Sequence, residues 1–238
     1  MPTMRPSRPV TALALLAVVA IGLVTAGLAG CKGSRQSGDL PAGDTLLSES
    51  AAAMRVVNTV RFAIESDGTV GGLALRRAGG QLTKEGNAKG NAQIGQGGAS
   101  LDLEFVVVGD SIYIKGLTGG WQKLPLALAS GVYDPSAILD PERGIAKVLS
   151  SATDAKTEAR ERVGGVDTYR VAAKLNATDL ATIVPGVGEG VTGKLWLAAD
   201  TKRLVKATFA VPASGGEKPV NVTVTFTEFD APVNISAP

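Results

Sequence analysis

Residues 101–114, Leu-Asp-Leu-Glu-Phe-Val-Val-Val-Gly-Asp-Ser-Ile-Tyr-Ile, decide the fold class. Leu101, Leu103, Phe105 and Val107 recur at every second position, with Asp102 and Glu104 between them. A period of two puts the apolar set on one face of a strand and the acids on the other. Gly109-Asp110 is a two-residue hairpin turn, and Ile112 and Ile114 resume the alternation beyond it. The stretch is therefore an antiparallel hairpin with one apolar and one wet face.

The same period extends outward on both sides. Phe62 and Ile64 alternate with Arg61 and Glu65, and Leu73 and Leu75 follow a Gly71-Gly72 turn. Downstream, 156–163 and 166–175 flank a Gly164-Gly165 turn, and Tyr169, Val171 and Ala173 share a face. Three more strands are expected at about 191–199, 203–211 and 219–229; in the last, Val222, Val224 and Phe226 oppose Thr223, Thr225 and Thr227. Helical spacing appears in two places. Leu47, Ala51, Met54 and Val57 predict a helix that starts at Asp44 or Thr45 and ends near Thr59. In the middle, Asp134-Pro135 and Asp140-Pro141 each place a capping residue before a proline suited to the first helical position. Ile138, Leu139, Ile145, Val148 and Leu149 supply the apolar side of those helices, and a short helix is expected at about 178–184, before Pro185-Gly186. About ten strands in two blocks around a helical insert, with a helix in front, make an α+β domain with helices on one side of a large antiparallel sheet. Periodicity does not say whether the space between sheet and helices is filled or open, and on the residues alone a packed core is the favoured reading.

The N-terminus carries a different signal. Arg5 and Arg8 precede an apolar run from Val10 to Ala29, which ends in Leu28-Ala29-Gly30-Cys31. The run is long enough to span a bilayer. The cysteine at its end, the lack of a basic stop-transfer cluster and the polar segment after it point instead to a secretory signal peptide over residues 1–30. A small residue before the cut and a thiol after it are what lipoprotein processing requires, so Cys31 is the expected acylated first residue of the mature chain. Two or three acyl chains anchor stably where one does not. Residues 31–44 form an expected acylated flexible tether, and 45–238 a single domain. The product is an exported protein held on the outer face of the plasma membrane.

Composition narrows the function classes. The 24 basic residues include Arg5 and Arg8, so the 22 that remain match the 22 acids and the mature chain is neutral. No basic surface for nucleic acid is implied. Histidine is absent and Cys31 is the only cysteine, which removes the common general base, both familiar nucleophile–histidine arrangements and any Cys/His metal site. No enzyme, metal or cofactor is expected. Asp102 and Glu104 are better explained as a solvated outer face than as cation ligands. The glycine-rich stretch between Gly71 and Gly98 lacks a Gly-Lys-Ser/Thr ending and is best explained by turns, although Gly90 and Ala92 also suit close approach of a ligand chain. Trp121 and Trp196 are expected in core or rim packing. The 4% aromatic content is equally compatible with an alkyl-lined cavity and with a coding bias toward Ala, Gly and Val.

The segment Val132-Tyr-Asp-Pro-Ser-Ala-Ile-Leu-Asp-Pro-Glu-Arg-Gly-Ile-Ala-Lys-Val-Leu149 resembles the Tyr-Asp-Pro…Leu-Asp-Pro segment of the LppX/LprA/LprF/LprG lipoproteins of mycobacteria and related actinobacteria. The order of other features agrees: the lipobox, a leading helix, the Gly90-Asn91-Ala92 strand, the 105–113 hairpin and Lys194-Leu195-Trp196-Leu197. Thr225-Phe226-Thr227-Glu228-Phe229 departs from the Ser-x-Trp-Gly of several members, which leaves the subfamily open. The resemblance implies a half-barrel similar to LolA/LolB, with helices on its concave face and a cavity for the acyl chains of envelope lipids or glycolipids. The expected wall comprises Phe62, Ile64, Leu73, Leu75, Ala92, Ile94, Leu101, Leu103, Phe105, Ile112 and Ile114. It continues through Val171, Leu195, Leu197, Phe209, Val222, Val224 and Phe226, with Ile138, Ile145, Val148 and Leu149 as a helical lid. The expected ligand is an acylated lipid or glycolipid, and a membrane transporter is a candidate partner. The alternative is a tethered adaptor with a packed core that binds such a protein.

Overall fold

The computed structural model describes residues 40–69, 74–96, 98–116, 119–129, 137–184, 187, 191–212 and 218–238. The signal segment, Cys31, most of the tether, Leu73 and Asp134-Pro135 lie outside them. Along the chain run α1 (Gly43–Arg55), β1 (Thr59–Ser66), β2 (Leu75–Thr83), β3 (Ala88–Gln96), β4 (Ala99–Val108), β5 (Ser111–Lys115), β6 (Trp121–Pro125) and α2 (Leu126–Ala129). Then follow α3 (Ile145–Ser151), β7 (Thr153–Val163), β8 (Val166–Lys174), α4 (Ala177–Ala181), β9 (Thr192–Ala198), β10 (Leu204–Val211) and β11 (Val220–Thr227).

The eleven strands of the described residues belong to one open sheet in the order β6-β5-β4-β3-β2-β1-β11-β10-β9-β8-β7. The fold is the expected α+β half-barrel. Two antiparallel meanders, β1–β6 and β7–β11, meet where β1 pairs with β11, with Phe62 opposite Phe226 and Ile64 opposite Val224. An aspartate fastens each end of this seam. At one end the Asn221 amide groups donate to both Asp67 carboxylate oxygens at 2.7 Å. At the other the Asn58 N–H donates to Asp230 at 2.8 Å, the Asp230 N–H donates to the Thr59 carbonyl, and Arg203 pairs with the Asp230 carboxylate. These hydrogen bonds hold both carboxyls below the usual carboxylate range: the Asn221 side chain is the leading cause at Asp67 and the Asn58 backbone N–H at Asp230.

The hairpin of residues 101–114 forms as its alternation requires, with Phe105 opposite Ile114, Val107 opposite Ile112 and Gly109 at φ +54° in the turn. The leading helix starts at Gly43 and ends at Arg55, a turn short of the expected Thr59, because Asn58 and Thr59 already belong to the seam. Its apolar stripe is the expected one: Leu47, Ala51, Met54 and, just past the helix, Val57 are all buried.

Asp140-Pro141 does not open a helix. Its carboxylate accepts the Glu142 and Arg143 N–H groups at 2.8 and 3.0 Å, but the turn it caps stops at Gly144. A Cβ there would lie 2.3 Å from the Ile138 carbonyl oxygen, and Ile145 N–H donates to that same carbonyl. The chain thus folds back on itself before α3 begins. α4 is Ala177–Ala181, capped by the Asn176 side chain accepting from Asp179 N–H, rather than 178–184. β6 is the strand the periodicity did not reveal, since Trp-Gln-Lys-Leu-Pro has no alternation.

Candidate functional site

The inner face of the sheet is identified by burial. In the C-terminal meander Val171, Leu195, Leu197, Phe209, Val222 and Phe226 point inward and are buried. The expected lid meets them: Ile138, Ile145, Val148 and Leu149 are buried in the same core. α3 lies against both α1 and α4. Between α3, α4 and the sheet remains a cavity of about 50 Å³. Ile145, Val148, Leu149, Leu195, Phe209, Val224 and Phe226 line it, joined by Leu175, Leu180, Ile183, Val184, Leu204 and Ala207, which the sequence reading did not single out. Their signals are present: Leu175 and Ala207 continue the period of Val171 and Phe209, and Leu180, Ile183 and Val184 stand at i, i+3 and i+4.

The N-terminal meander presents the other half of the expected wall. Strand register arranges its inward side chains in rows across the sheet. The first row, Val60–Leu82–Ala88–Val107, is fully buried. The next holds Phe62, Gly80, Gly90, Phe105 and Ile114, and the third Ile64, Ala78, Ala92 and Leu103. Phe62 is buried, whereas Ile64, Ala92, Leu103, Phe105 and Ile114 are only half-buried, as are Leu75, Ile94, Leu101 and Ile112. The trough is therefore closed at one end and opens along the strands toward the other.

Its small residues have two origins. Gly80 and Gly90 face each other where β2 and β3 approach closely, and a Cβ on Gly90 would lie 2.0 Å from the Gly79 carbonyl oxygen. Gly90 thus serves the neighbouring strand's backbone rather than a ligand chain. Ala92 has no such constraint and stays half-open on the inner face.

The outer face is polar. Gln93 donates to Asp102 at 2.9 Å and Lys115 pairs with Glu104 at 3.0 Å, so the two acids have separate partners. Trp196 is buried on this face rather than in the core: its Nε1 donates to Glu161, and the Lys206 ammonium sits 4.9 Å from its ring centre. Trp121 is exposed at the β6 edge.

The arrangement can hold apolar chains by burial alone, since the described residues that line its inner face are apolar. Comparison with known proteins agrees with this architecture. LprG of Mycolicibacterium smegmatis, named a lipoarabinomannan carrier protein, is 32% identical over 241 residues, covering 98% of each chain. The protein of the same name from Mycolicibacterium hassiacum is 34% identical over 218 residues, covering 89% of this chain and 91% of its own. The crystal structure of LprF from Mycobacterium bovis superposes with a TM-score of 0.70 at 24% identity, over 82% of this chain and 96% of that one. LppX from Mycobacterium tuberculosis gives 0.60 at 20% identity, over 81% and 98%. The LppX_LprAFG lipoprotein model matches residues 42–235, and the chain belongs to that family.

Proposed function

We propose that this protein is a non-enzymatic carrier that holds the acyl chains of an envelope lipid or glycolipid against the inner face of its half-barrel. In this reading residues 1–30 are removed, acylated Cys31 anchors the product at the outer face of the plasma membrane, and the segment to about residue 44 is the tether. The observation that carries the proposal is the apolar wall of β2–β5, left half-open among the described residues, which lies beside the apolar cavity under α3 and α4. Relatives named as lipoarabinomannan carriers support the ligand class. Each methylene buried is worth about 0.8 kcal/mol, so an acyl chain laid along this wall has ample driving force.

One observation favours the adaptor reading. The cavity under α3 and α4, at about 50 Å³, is far below the roughly 300–1,000 Å³ of ordinary ligand pockets. A carrier must therefore use the open trough, or lift α3 and α4 to enlarge the closed one. Mass spectrometry of organic extracts from the processed chain with Cys31→Ser decides between the two. The carrier retains acylated lipid from the organism's own envelope extract; the adaptor retains none. Ala92→Trp is expected to cut the retained lipid severalfold with an unchanged unfolding midpoint. Unchanged retention would remove β3 from the ligand wall.

A further inference from the structure

Three of the large apolar side chains exposed among the described residues lie within eight positions of one another: Trp121, Leu124 and Leu128, the last 75% exposed. They occupy β6 and α2, at one free edge of the sheet, where among the described residues β6 has only β5 as a neighbour; register puts Trp121 on the outer side of that edge and Leu124 on the inner. Two lysines flank them. The Lys115 ammonium is 5.8 Å from the Trp121 ring centre while paired with Glu104, and the Lys123 ammonium is 5.8 Å from the Tyr113 ring. In a chain whose mature charge is balanced, the stretch between Asp110 and Asp134 holds these two lysines and no acid.

Tryptophan and tyrosine beside lysine, with leucines projecting beyond, is the composition of a bilayer interface: rings sit at headgroup depth, ammonium groups reach the phosphates, and leucines enter the acyl region. The edge is a poor template for a partner strand, being five residues long, carrying Lys123 and ending at Pro125. We propose that the β6–α2 edge is the surface through which this domain rests on a membrane rich in anionic lipid, and across which lipid reaches the inner wall. The path is continuous. Leu124 pairs with half-buried Ile112, and Ile114 on the same face of β5 pairs with Phe105, so the exposed edge leads into the half-open second row. Passage of lipid rests on the carrier reading; docking does not.

The two tryptophans make the test direct, because Trp121 is 38% exposed and Trp196 is 8% exposed on the outer face. The processed chain with Cys31→Ser is mixed with phosphatidylcholine vesicles, with and without phosphatidylglycerol, whose acyl chains carry bromine as a contact quencher. Quenching is expected in the wild type on the anionic vesicles and not in Trp121→Phe, where only Trp196 reports. Lys123→Glu is expected to weaken anionic vesicle binding about 30-fold at low salt, and less at high salt. Leu128→Asp is expected to weaken it about tenfold or more, and both variants keep the wild-type unfolding midpoint. Equal quenching in wild type and Trp121→Phe, or unchanged vesicle affinity in both surface variants, overturns the proposal. So does capture of a protein through this edge without vesicle binding. Lipid retained from detergent solution without Trp121 quenching overturns docking and leaves carriage standing. Quenching without any retained lipid supports docking and overturns carriage.

Discussion

The two meanders of this sheet share one architecture and differ in what covers them. Both alternate inward apolar and outward polar side chains, and both are fully antiparallel. In the C-terminal meander the inward residues are buried beneath α3 and α4; in the N-terminal one most are half-open. Connectivity explains the difference. α3 runs directly into β7 and α4 lies between β8 and β9, and both border the cavity lined by β9–β11, while α1 packs on α3 and β7. Among the described residues no helix lies between β1 and β6. Hairpin turns such as Gly109-Asp110 bring nothing across the face. A half-covered inner surface thus gives one sheet a covered half and an accessible half among the described residues.

The sharpest way to break this contrast is a matched pair of truncations. Leu197 is 0% exposed under the helical layer, and Leu197→Ala is expected to cost about 2–5 kcal/mol through lost burial and the cavity left behind. Ile112 sits at the equivalent inward parity in the N-terminal half but is only half-buried, and Ile112→Ala is expected to cost about 1 kcal/mol. Urea unfolding of both variants measures the difference. Equal losses would mean that the trough is covered in solution and that the two halves are energetically alike.

The pairing and facing of the strands were legible in the sequence because a period of two survives tertiary context. The residues of β4 and β5 sit in the register their alternation and the Gly109-Asp110 turn require. Coverage was not legible. Parity assigns Ile112 and Leu197 to the same face, but whether a helix lies over either is a matter of chain path. The same limit produced the error at Asp140-Pro141. The local cap forms, yet the backbone packing at Gly144 stops the turn, a contact between residues six apart that no capping rule encodes. β6 escaped because Trp121-Gln122-Lys123-Leu124-Pro125 sets its two large apolar residues three apart and so lacks alternation. Among the described residues the candidate wall spans two environments, joining side chains of the buried core to half-buried ones of the open trough.

A second substitution asks whether the closed half takes part in ligand binding. Ala207 lines the cavity of about 50 Å³ under α3 and α4, and a β-branched side chain suits its strand. Ala207→Val is expected to stabilise the protein by about 0.5–1.5 kcal/mol by filling that space. If lipid lies only in the open trough, retention stays at the wild-type level. If the chains thread beneath α3, retention falls while stability rises, a split that thermal melts and lipid extraction together detect.

The smallest expected effect lies at the joint between the halves. Asp230 accepts the Asn58 N–H and pairs with Arg203, tying the start of β1 to the turn before β10. Asp230→Asn keeps an oxygen acceptor and the local turn, in which residue 230 has φ +56°, a conformation asparagine tolerates. Only the ionic part is lost, worth about 0.5–1 kcal/mol for a pair this exposed. Because the folded state holds this carboxyl below its ordinary value, the native state binds the proton less readily than the unfolded chain. The wild type's advantage over Asp230→Asn should be complete above the ordinary carboxylate range, shrink as pH falls through that range, and vanish below the lowered folded value. Urea midpoints of the two proteins across that interval should therefore converge in acid. No gap at any pH would show that Asp230 joins the halves through hydrogen bonds that asparagine keeps rather than through its charge.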